Sequence, residues 1–120
     1  MIKKKIFIWC DSPTVPTGFG VVAKNLFKNL HQTYDVSILG INYYGNTQYD
    51  TSKYFIYPID KTDPLGFNRL IEILKDAKPD LIFLFQDIFH IDMVMPRIKK
   101  DFNKDVPVVT YFPIDGRPVS

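Results

Sequence analysis

Residues 5–30, KIFIWCDSPTVPTGFGVVAKNLFKNL, decide the fold. Their first part, KIFIWC (5–10), is β-rich and almost continuously apolar, which is how a strand buried on both faces reads. Such a strand belongs in the middle of a sheet. Further on, Val22, Leu26 and Leu30, with Val21 and Phe27 beside them, fall at helical spacing, so residues 19–31 read as a helix with one buried face. The join between the two, DSPTVPTGFG (11–20), contains two prolines and two glycines. A plain βα connection needs only about 2–6 residues. A longer one, with φ fixed at the prolines and close approach allowed at the glycines, is a loop shaped to hold something.

The rest of the chain repeats the alternation. DVSILGIN (35–42) reads as a second strand, residues 43–53 (YYGNTQYDTSK) as a polar, aromatic surface loop, and YFIYPI (54–59) as a short strand. Asp63 followed by Pro64 places a capping residue before a favourable first helical residue. Phe67, Leu70, Ile71 and Leu74 then repeat at helical spacing, and the helix ends by Lys78 because Pro79 follows. DLIFLFQ (80–86) is another buried strand. Ile91, Met95, Ile98 and Phe102 form the next helical stripe, in which Pro96 makes the helix start late or bend. VPVVTYF (106–112) closes the series. Buried strands alternating with helices imply an α/β fold: a Rossmann-like parallel sheet with helices on both faces, joined by right-handed crossovers. No internal repeat or low-complexity tract interrupts it.

Composition narrows the function. A chain of 120 residues, 46% hydrophobic, has the length of one domain, so 1–120 is read as a single Rossmann-like unit. Fifteen basic and thirteen acidic residues leave a formal charge of +2, too small and dispersed to argue for nucleic acid. Lys3 to Lys5 form the densest basic run, read either as a solvated lead-in to the first strand or as a contact for a membrane surface or anionic ligand. The apolar stretch after it stops at Asp11, short of a signal peptide, and no segment reaches the roughly 18 apolar residues of a membrane span. Cys10 is the one cysteine, which excludes an internal disulfide and a CxxC pair and fits a reducing, cytoplasmic compartment.

In an open parallel sheet the ligand sits beyond the carboxyl ends of the strands. Four stretches qualify: DSPTVPTGFG, YYGN, QDIFH and PIDGRP. Gly18, Phe19 and Gly20 open a helix, where unpaired N–H groups and the dipole attract an anion. Gly18, Gly20 and Ala23 also satisfy the dinucleotide pattern G-x-G-x-x-G/A. In that fingerprint, however, the first glycine turns directly out of the strand and an acid ends the second strand, whereas here Cys10 and Gly18 lie far apart and the second strand ends near Ile41 and Asn42. Three readings stay open: a phosphate-bearing or sugar ligand, a dinucleotide, or glycines serving helix packing alone. Asp87 and His90 can serve acid–base or hydroxyl-binding chemistry, and Asp87 can equally cap a helix. Asp115 is a catalytic candidate or a turn former, and Arg117 an anion clamp or a solvated residue. Cys10 reads as packing and His31 as a partner of a helix dipole. No spacing of His, Cys or acidic residues fits a metal, and none of the residues calls for a cofactor.

The segments KIFIWCDSPTVPTGFGVVAKNLFKNL, YDVSILGINYYG, KPDLIFLFQD and VPVVTYFPIDG together resemble the amino-terminal domain of retaining glycosyltransferases of family 4, whose GT-B architecture sets two Rossmann-like domains face to face. The resemblance covers nearly all of the chain, and its most specific part is the strand and long loop leading through TGFG into a helix. It implies a domain that shapes the acceptor site, with Thr17, Gly18, Phe19 and Gly20 approaching a donor diphosphate and Asp11 and Ser12 beside them. Family members often carry a histidine after the strand that here ends VVTYF; this chain has Pro113, Ile114 and Asp115 there. The resemblance further implies that a nucleotide-sugar donor, an unknown acceptor and a carboxy-terminal donor-binding domain complete the enzyme. That second domain has no counterpart in these residues, so the isolated chain is expected to be inactive, and its uncovered cleft wall favours a homodimer. The alternatives are the nucleotide-binding domain of an oxidoreductase and a non-catalytic ligand-binding domain.

Overall fold

A computed structural model describes residues 3–12, 24–25, 30–45, 55–102 and 104–112. Five strands run in the order β1 (Lys5–Asp11), β2 (Asp35–Ile41), β3 (Phe55–Tyr57), β4 (Leu81–Phe85) and β5 (Val108–Tyr111). All pair in parallel, in the spatial order β3-β2-β1-β4-β5. β1 is the central strand, and every residue from Ile6 to Asp11 is buried. The α/β, Rossmann-like architecture read from the alternation is therefore the one observed.

The pleat sends alternate residues of each strand to two cores. Phe7 and Trp9 of β1, Leu39 of β2, and Ile82 and Leu84 of β4 join one cluster. Helices α1 (Phe67–Ala77) and α2 (Ile88–Arg97) cover it with Leu70, Ile71, Ile73 and Leu74 from the first and Ile91 and Val94 from the second. Trp9 satisfies its one polar atom there, its indole N–H donating to the Leu65 carbonyl at 2.8 Å. Ile6, Ile8 and Cys10, with Val36, Ile38, Ile56 and Phe85, form the second cluster on the opposite face. The β1–β2 connection is helical at Lys24 and Asn25 and ends in a 3-10 turn, Leu30–Gln32, whose Leu30 packs on that second face. Other residues of the helix expected over 19–31 lie outside those described.

Two expectations about helix boundaries need correction. Asp63 does not stand immediately before the first turn. The helix begins at Phe67 because Gly66 adopts a left-handed conformation (φ 75°) and breaks any continuation from Pro64. A side chain at Gly66 would also meet Leu39 Cδ2 at 2.8 Å. Asp63 caps from further upstream, its Oδ2 accepting the N–H groups of Asn68 and Arg69 at 3.1 and 3.2 Å. Pro96 does not delay the other helix, which starts at Ile88 and passes through it. The proline has no N–H for the carbonyl of Asp92 four residues back. The deviation appears just downstream, where Ile98–Phe102 widens into a π-helical turn.

The two ends of the β1–β4 pair are clasped. At the amino ends, the Lys5 N–H donates to Asp80 Oδ2 at 2.8 Å and the Asp80 N–H to the Lys5 carbonyl at 2.9 Å. At the carboxyl ends, Gln86 and Asp11 are bonded to one another.

Candidate functional site

The strand order determines where a ligand crevice lies. From β1 the chain builds outward to β2 and β3 on one side, then returns past β1 to build β4 and β5 on the other. The connections that leave the carboxyl ends of β1 and β4 therefore diverge, and an open α/β sheet binds its ligand in the crevice between them. Asp11 ends β1 at that point and Ser12 follows it, and Gln86, Asp87 and His90 follow β4.

These groups are ordered by chemistry that the strands dictate. Asp11 continues the row of Phe7 and Trp9, and Gln86 the row of Ile82 and Leu84, so the alternation turns both toward one side of the sheet. Both are buried, and Gln86 Nε2 donates to Asp11 Oδ1 at 2.9 Å. A buried carboxylate without such a donor is costly, and the amide supplies one without adding charge. The other end of the amide, Oε1, accepts the Asp87 N–H at 2.9 Å and stands 3.3 Å from His90 Nδ1. Asp87 is the N-cap of α2: its Oδ1 accepts the Phe89 N–H at 2.9 Å, while its carbonyl accepts from His90 and Ile91. This is the capping alternative for Asp87, realised at the mouth of the crevice.

Ser12 turns to the second face. It is fully buried and its N–H donates to the Ile41 carbonyl at 2.9 Å, so the first residue of the long loop is pinned to the end of β2. The absence of a side chain at Gly40 makes that position possible, since a Cβ there would lie 2.8 Å from Ser12 Cβ. β2 then leaves the sheet through Asn42 in a left-handed conformation (φ 68°), with the Tyr43 N–H returning to the Gly40 carbonyl at 3.1 Å. The Ile59 N–H ties Tyr43 to the end of β3 at 2.9 Å.

Of the residues singled out from the sequence, Asp11, Ser12, Asp87 and His90 meet at this crevice. Thr17, Gly18, Phe19, Gly20, Asp115 and Arg117 lie outside the described residues. Gln86 is the addition that sequence reading missed; its signal was a polar side chain closing an otherwise apolar strand. Cys10 is fully buried on the second face, and burial, helped by the neighbouring Asp11 carboxylate, pushes its thiol well above its ordinary range. It packs as a small apolar group. Among the described residues no three His, Cys, Asp or Glu side chains cluster as metal ligands, and no helix is long and apolar enough to cross a membrane.

Fold and site together define a Rossmann-like domain with a polar cluster at the carboxyl ends of β1 and β4. No protein-family model matches the chain, and no curated protein matches it in sequence.

Proposed function

We propose that this chain is the acceptor-side Rossmann-like domain of a retaining glycosyltransferase, working against a second domain that binds a nucleotide-sugar. The observation that carries the reading is the crevice floor: a buried carboxylate–amide pair, Asp11 with Gln86, at the point where the long loop leaves β1. Carboxylates and amides are the groups that sort sugar hydroxyls, because each offers directional acceptors or donors to an O–H. The loop that follows supplies the glycines needed for backbone to approach a diphosphate, whose developing charge is what such a reaction must stabilise. An oxidoreductase reading is weaker, since β2 ends at Ile41 and Asn42 with no acid for a ribose.

The test uses the gene product that carries this chain. Given uridine, guanosine and adenosine diphosphate sugars with a cell extract as acceptor source, it should release nucleoside diphosphate. The 120-residue chain alone should bind none of these donors tightly. Calorimetry giving a Kd of about 1 μM or better for a donor, worth about 8 kcal/mol, would refute the assignment of donor binding to another domain.

A further inference from the structure

We propose that Gln86 is a positioning residue: it holds His90 as the Nδ1–H tautomer, so that Nε2 meets a ligand hydroxyl as a hydrogen-bond acceptor. The inference rests on the proposed function only for the place of the ligand. The backbone N–H of Asp87 can only donate, so the atom of Gln86 that faces it at 2.9 Å must be Oε1. Nε2 of the same amide then points the other way, onto Asp11 Oδ1 at 2.9 Å, where a carboxylate oxygen accepts. Both ends of the amide are thereby assigned independently, and they agree.

His90 Nδ1 lies 3.3 Å from that same Oε1. An amide oxygen has no proton to give, so a hydrogen bond exists between the two only when Nδ1 carries the proton. The neutral ring is then deprotonated at Nε2. Among the described residues Gln86 is the side chain bonded to the ring, and His90 is only half-buried. Nε2 is therefore the nitrogen open to a ligand, and its lone pair suits an O–H donor. The side chain of a histidine fixed in this way by a second residue is a common device for setting which nitrogen reacts. Asp11 is the anchor of the device, because its bond to Nε2 of Gln86 prevents the amide from turning over.

The tautomer can be read without any ligand. Two histidines occur in the chain, so a His31→Gln variant leaves one imidazole to observe by long-range nitrogen–proton correlation NMR. At alkaline pH, where the ring is neutral, His90 should give the spectrum of a protonated Nδ1 and a bare Nε2. The opposite pattern in the His31→Gln protein overturns the proposal outright. Gln86→Met, which keeps length but removes the acceptor, should shift the ring to the Nε2–H form that free histidine prefers; an unchanged spectrum in a folded variant also overturns it. Failure to release nucleoside diphosphate would leave this result standing, and a wrong tautomer would leave the glycosyltransferase reading standing.

Discussion

Replacing Gly40 by alanine should damage the protein more than so small a change in a strand ordinarily would. Gly40 pairs with Cys10 across β1 and β2, and a methyl group there would lie 2.8 Å from Ser12 Cβ, 2.9 Å from Ile56 Cγ2 and 3.2 Å from Ser12 Oγ. The two shortest contacts come from different elements, so a shift of β2 cannot readily relieve both. Ser12 is not free to swing away, because it is fully buried and its N–H is bonded to Ile41. Overpacking of this kind costs about 1–3 kcal/mol, and the upper half of that range applies here. For a domain of this size the corresponding fall in Tm is roughly 8–12 °C. Thermal and urea unfolding followed by circular dichroism would measure it for Gly40→Ala, Ser12→Gly and the double variant. Ser12→Gly removes two of the three close atoms, so the double variant should recover part of the loss, with a coupling of about 0.5–3 kcal/mol. A Gly40→Ala protein within about 0.5 kcal/mol of wild type, or strictly additive substitutions, would refute the packing argument.

Two further outcomes are expected. Because the Cys10 thiol titrates above its ordinary value of about 8.5, the unfolded chain releases this proton first; stability should be full below that pH and fall as pH rises toward the folded value. Cys10→Ala should flatten this alkaline limb, and a thiol reagent should label the native protein only as fast as it opens; rapid labelling would contradict the burial. Asp63→Ala should lose about 0.5–2 kcal/mol of stability in urea unfolding by orphaning the N–H groups of Asn68 and Arg69, whereas Asp63→Asn should retain most of it. Equal losses in both would show that the carboxylate acts by charge alone.

The strands were legible because most are buried and apolar enough to leave a continuous signature, which no amphipathic helix imitates. Their ends were less so. Of the stretch read as 54–59, the described residues form a strand over Phe55–Tyr57 and leave it at Pro58, which cannot donate to a ladder, and that read as 106–112 narrows to Val108–Tyr111, beyond Pro107. Asp63 was recognisable as a cap, but its distance from the helix depends on the positive φ of Gly66, a conformation that glycine permits without requiring. Asp11 and Ser12 could be placed at the crevice from their position after a central strand. Gln86 could not be coupled to Asp11 in the same way, because that requires knowing that β4 lies beside β1. Gly40 carried a readable sign, a glycine inside a strand, whose meaning appears only once Ser12 is seen against it.

The clasps at the two ends of the β1–β4 pair also bear on how the chain is made. Lys5 with Asp80 and Asp11 with Gln86 are each separated by 75 residues in sequence. A ribosome adding about 5–20 residues per second therefore leaves β1 without its β4 partner for roughly 4–15 s. During that interval the central strand of the sheet has an open edge, able to pair with another nascent chain. The central position of β1 thus makes the earliest of the five described strands one of the last to be fully enclosed. Its exposure on the ribosome, rather than any weakness of the finished core, is where a holding chaperone would matter most.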